Sequence, residues 1–187
     1  MSLLALSPDV ISDNLPEEVE RALTWARVDF RPTHRPPKWW RVGVATVLAI
    51  AGSLAADAVL VLLGKHLFPA TKGFVHYQFH DYAKLTVIGV VIACAGWPIV
   101  ARISSAPRWL FFRLAIAVTL VLFLPDLWIW MRGEPGQGVL VLMAMHVAIA
   151  LVTYNVLVHV APVGAATELE QEPPIAPAAP ARPTRRS

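Results

Sequence analysis

Four uninterrupted apolar stretches decide what this chain can become: Arg41 to Gly64, Tyr82 to Ala101, Trp109 to Met131 and Gly138 to Val160. A hydrocarbon core of about 30 Å asks for about 20 helical residues at about 1.5 Å each, and every stretch meets that length. Inside lipid the backbone has to satisfy its own hydrogen bonds, which leaves helices or a closed barrel. These runs are too long and too continuously apolar for barrel strands, whose residues alternate. A soluble four-helix protein would need polar outer faces on its helices. With 56% hydrophobic and 16% charged residues, this chain lacks them. The expected fold is all-α, a polytopic four-helix transmembrane bundle over residues 41–160.

Charge sets the expected orientation. Arg21, Arg27, Arg31, Arg35, Lys38 and Arg41 precede the first span, and Arg102, Arg108 and Arg113 surround the turn between spans two and three. The other side holds Lys65, Lys72 and Lys84 in one loop and Arg132 in the second. Both termini are therefore expected in the cytoplasm. Trp39, Trp40, Trp109, Trp128 and Trp130 fall at span ends, at the headgroup level that suits an amphipathic ring.

The flanks differ from the spans. Residues 1–40 form a cytoplasmic segment carrying Asp9, Asp13, Glu17, Glu18 and Glu20, unlike a basic start followed by a long apolar run, so no secretory signal is expected. Leu15, Val19, Ala22, Leu23 and Ala26 recur at helical spacing. Early acids and a late Arg27 complement the helix dipole. One short amphipathic helix is expected over 15–28, lying on the membrane surface or docked on a partner. Residues 161–187 interleave proline with alanine, a composition that cannot repay its ordering entropy, and read as a disordered cytoplasmic tail. Cys94 is the single cysteine, in mid-span, and excludes a disulfide framework.

Chemistry enters through polar residues within the spans. Asp57, Asp126 and His146 lie in spans one, three and four, at depths of roughly 10, 8 and 12 Å from one face at about 1.5 Å per residue. An acid at such depth costs about 2.5–3.5 kcal/mol even on the lenient insertion scale. Small or hydroxyl residues share their faces: Ala49 and Ser53 with Asp57; Ala115, Thr119 and Leu122 with Asp126; Ala150 and Thr153 with His146. Such stripes are expected to face the bundle interior. Pro125 frees a carbonyl one turn earlier, beside Asp126. The three ionisable groups are expected to form one cluster, either as structural glue or as a site for a proton, cation or polar headgroup.

The first long loop, 65–81, adds His66, His76, His80 and Asp81, a weak zinc candidate because the spacing matches no ligand pattern. An amphipathic segment over the mouth of the bundle explains these residues better. Haem would need two deep histidines on facing helices, and only His146 is deep. No cofactor is expected. No phosphate loop or nucleophile motif occurs, and topology accounts for the basic residues without nucleic acid.

Two segments carry a family resemblance: Leu114-Ala-Ile-Ala-Val-Thr-Leu-Val-Leu-Phe-Leu-Pro-Asp126 and, after a short polar turn, Val141-Leu-Met-Ala-Met-His-Val-Ala-Ile-Ala150. With a Met-His pair in the last helix, the chain from Arg41 to Val160 resembles an uncharacterised family of small actinobacterial four-span membrane proteins. The resemblance implies fold and membrane location, makes His146 the matching position and implies no activity. The long first loop and the N-terminal helix depart from it. The leading expected function is a non-enzymatic accessory or scaffold subunit of a bacterial cytoplasmic-membrane complex, partnered by lipid and other membrane proteins. The alternative is a small transporter or ligand-binding protein using Asp57, Asp126 and His146.

Overall fold

The computed structural model describes residues 16–28, 34–71 and 73–164. Leu15, the Arg31–Thr33 part of the basic link, Lys72 and the Pro/Ala-rich tail from residue 165 lie outside the described residues. Among those described, every regular element is helical: α1 (Glu17–Ala26), α2 (Trp39–Leu67), α3 (Phe79–Ile103), α4 (Pro107–Met131) and α5 (Gly136–Val160). Two single 3₁₀ turns, Pro69–Thr71 and Val75–Tyr77, interrupt the α2–α3 loop. Helices α2 to α5 are each long and apolar enough to cross a membrane, and each runs a few residues past the expected span.

Local chemistry sets the helix ends. Pro107 opens α4 at a position where a missing N–H costs nothing. The end of α4 is a Schellman closure: Gly133 takes φ +97° and donates to the Trp130 carbonyl (2.9 Å), while Glu134 donates to Ile129 (3.3 Å). A side chain at that φ would be strained, so glycine suits the turn into α5.

Packing follows a period of about four residues. The buried face of α2 is Ala45, Ala49, Ser53, Asp57, Val61 and Gly64. That of α3 is Tyr82, Thr86, Val90, Cys94, Trp97 and Val100 with Ala101. Helix α2 packs most extensively on α5, and α4 leans chiefly on α5. Small residues let the α2 and α5 backbones approach; a Cβ added at Gly52 would sit 3.0 Å from Val152. That contact also sets the antiparallel register between the two helices.

At the end of the bundle nearest the termini the core is dry. Trp97, Leu157, Ala45 and Ala49 are fully buried with Val90, Cys94 and Phe111. The Trp97 Nε1–H donates to the Ala161 carbonyl at 2.8 Å, tying α3 to the end of α5. The Phe111 ring meets Trp97 edge-on at 5.1 Å and stacks on Tyr154 at 6.3 Å. Helix α1 meets this end through its C-terminal residues, while Trp25 stays 68% exposed. Ser104 Oγ donates to the Arg27 carbonyl (2.8 Å), and the Arg113 guanidinium lies 4.0 Å from the Trp25 ring and 3.7 Å from Trp109.

The opposite end is covered by the α2–α3 loop. Phe74 and Tyr77 are buried against Val61, Tyr82, Val141 and Met145. Two glycines make room for them: a Cβ at Gly64 would lie 3.0 Å from the Tyr77 hydroxyl, and one at Gly138 would lie 3.1 Å from the Phe74 ring.

Candidate functional site

Between the dry core and the loop cover lies a layer of polar side chains drawn from all four long helices. The buried stripe of α2 brings Ser53 and Asp57 inward, both fully buried. From α3, Thr86 Oγ1 donates to Asp57 Oδ2 at 2.7 Å. Asp126 is the only residue buried in α4 beyond Phe111, and its Oδ2 lies 3.1 Å from Nδ1 of His146 on α5. Thr153, also on α5, is buried near the level of Ser53, given the α2–α5 register.

The layer thus contains two pairs, Asp57–Thr86 and Asp126–His146, rather than the single cluster expected, and no hydrogen bond joins them among the described residues. The Asp126–His146 contact is an ion-pair approach rather than an aligned hydrogen bond. Nδ1 also lies 3.0 Å from the Leu142 carbonyl one turn back, and a single N–H can point well at only one oxygen. Accordingly Asp126 Oδ2 has no hydrogen-bond donor, and neither Asp57 Oδ1, Ser53 Oγ nor Thr153 Oγ1 has a partner. A buried polar group left unmatched costs about 1–3 kcal/mol. Four such oxygens in one layer are a costly arrangement that a proton, water or polar ligand would relieve.

Two sequence expectations need correction. Leu122 does not share the inward face of Asp126; it is 41% exposed, because α4 rests mainly on α5 and turns the middle of its length outward. His146 lies beside the main buried stripe of α5 (Val141, Met145, Thr153, Leu157), which turns it toward α4. There its ring meets Phe123 edge-on at 6.3 Å, and about a quarter of its side chain stays exposed.

Sequence reasoning missed Thr86. Its spacing with Tyr82, Val90 and Cys94 was the available signal, but other mid-span threonines behave differently. Thr46 and Thr119 each donate to their own helix, to the carbonyls of Val42 and Ala115, both at 2.8 Å.

The loop histidines do not converge. His80 pairs with Asp81 at 3.2 Å, His76 packs its ring on Phe74 at 5.2 Å, and His66 is exposed near the end of α2. Among the described residues no group of three or more His, Cys, Asp or Glu side chains is arranged to hold a metal ion. The loop places Phe74 and Tyr77 over the mouth instead. Burial holds the Tyr77 phenol above its ordinary range, so it stays a neutral hydroxyl.

Length and hydropathy of four helices, with ionisable groups held inside them, mark the chain as a multi-pass membrane protein. Residues 33–162 match a family of unknown function (DUF6069), and the chain belongs to that family. The expectation of an uncharacterised family therefore holds. Neither a curated protein nor a solved structure matches the chain.

Proposed function

We propose that this protein binds a proton within the membrane at Asp57 and the Asp126–His146 pair, as a small proton-coupled transporter or sensor of the bacterial cytoplasmic membrane. The carrying observation is the approach of His146 Nδ1 to Asp126 Oδ2 at 3.1 Å, in a layer where the neighbouring acid is fully buried and half-satisfied. An acid in lipid is stable when neutral or paired. Each proton that enters or leaves this layer changes which oxygens act as donors. Thr86 holds one oxygen of Asp57 and leaves the other open to a proton. His146 Nδ1 lies 3.1 Å from Asp126 Oδ2, so a small turn of the ring would hand a second proton between them. Proton occupancy is thereby coupled to contacts between α2 and α3 and between α4 and α5.

The lysine and arginine distribution supports cytoplasmic termini, with the loop-covered mouth facing outward. A proton, rather than a metal ion, suits the donor set. The accessory-subunit reading draws nothing specific from the fold, because lipid accounts for the exposed apolar faces of α4.

Infrared difference spectroscopy on the protein in liposomes, stepped between acidic and alkaline buffer, tests the reading. A carboxyl band that titrates, and that Asp57→Asn or Asp126→Asn removes while the protein stays folded, is the expected outcome. Titrating carboxyl bands that are the same in the unaltered protein and in both folded variants would reduce the layer to structural glue.

A further inference from the structure

A groove of about 570 Å³ lies where α2, α3 and the loop meet, away from the polar layer's own contacts. This volume is within the usual range of small-molecule sites, about 300–1,000 Å³. Its α2 wall is Ala58, Leu62 and Lys65, its α3 wall Phe79 and Tyr82, and Tyr77 closes it from the loop. The composition is graded along the helix axis. Ala58 and Leu62 lie at the depth of acyl chains, whereas Lys65 sits two residues before the end of α2, at the level where lipid headgroups lie. Lys65 is half-buried and has no ion pair among the described residues. A second polar side chain, the exposed Gln78, lines the same groove.

We infer that this groove is a binding site for one anionic phospholipid, its phosphate on Lys65 and the upper part of an acyl chain along Ala58, Leu62 and Phe79. Charge complementarity selects the occupant. A basic side chain half-sunk beside the groove, with the Gln78 amide in the same lining, fits a phosphate oxygen, and the apolar wall below it fits a hydrocarbon chain. A soluble anion would use the first feature and leave the second in contact with water. Another protein's helix would leave the ammonium without a counter-charge.

The test uses the full chain purified in mild detergent and titrated with dioleoyl phosphatidylglycerol, dioleoyl phosphatidylcholine or inorganic phosphate, with bound lipid read by native mass spectrometry. Phosphatidylglycerol is expected to bind more tightly than phosphatidylcholine, and inorganic phosphate to compete poorly. Lys65→Gln should weaken phosphatidylglycerol about fivefold, the worth of one basic residue at a lipid surface. Ala58→Phe, which fills the groove and keeps Lys65, should weaken both lipids together. Equal binding of the two lipids, full displacement by inorganic phosphate, or unchanged phosphatidylglycerol binding in folded Lys65→Gln would each overturn the assignment. Should Lys65→Gln fail to fold, unchanged lipid binding in Ala58→Phe overturns it as well.

Discussion

Near the termini, the helices close on Trp97, Phe111 and Leu157, and the indole nitrogen of Trp97 is bonded to the end of α5. Beneath the α2–α3 loop the same helices close on Asp57, Thr86, Asp126 and His146, and several buried oxygens there lack partners. One half closes mainly through apolar packing and a cross-helix indole hydrogen bond; the other gathers four buried oxygens without a hydrogen-bond partner. The difference teaches that stability and chemistry occupy separate levels along the same four rods. A change in one level should be felt mainly there.

The comparison breaks most readily at Trp97. Trp97→Ala removes a fully buried ring and a cross-helix hydrogen bond, and should cost about 3–5 kcal/mol. Reversible unfolding in detergent micelles measures this, and a loss near zero would show that the dry half is not the anchor. Gly138→Ala pushes a methyl group to 3.1 Å from the Phe74 ring. An overpacked site of this kind loses about 1–3 kcal/mol. Hydrogen exchange should report the loss locally, as faster exchange over residues 68–78 with the Trp97 region unchanged.

Asp57→Asn is a sharper probe of the polar half. It keeps an acceptor for Thr86 and removes a buried charge, so stability should move by no more than about 1.5 kcal/mol, the worth of one hydrogen bond, while the proton response of Asp57 is lost. A large loss of stability there would make Asp57 a structural residue and erase the contrast. The smallest effect is expected at Arg21→Ala, which breaks the exposed 2.9 Å pair with Glu17. Isolated helix-surface pairs contribute about 0.3–0.5 kcal/mol at most, so the melting temperature should stay within measurement error.

Much of the bundle was legible in the chain. Ala49, Ser53 and Asp57 recur every four residues, and a helix carries such a set on one face, so their burial followed from periodicity alone. Asp126 and His146 were placed at comparable depth by counting residues, and they do meet. Leu122 shares helical spacing with Asp126 yet turns outward, since spacing defines a face and leaves open how wide a strip of it the neighbour covers. Spacing put Thr86 on one face with Tyr82, Val90 and Cys94, but left open what its hydroxyl bonds. Whether a threonine bonds its own helix or another depends on what lies across the gap.

The loop shows the same boundary. Its aromatics marked a segment near the membrane surface, whereas the close fit of Phe74 on Gly138 and of Tyr77 on Gly64 brings together residues far apart in the chain. The amino-acid order alone determined the number of spans, their length and which face of α2 is polar. These are consequences of a bilayer's thickness and a helix's rise. Tertiary structure alone decided which side chains face one another across the bundle, since rotation and register between helices depend on contacts among distant residues.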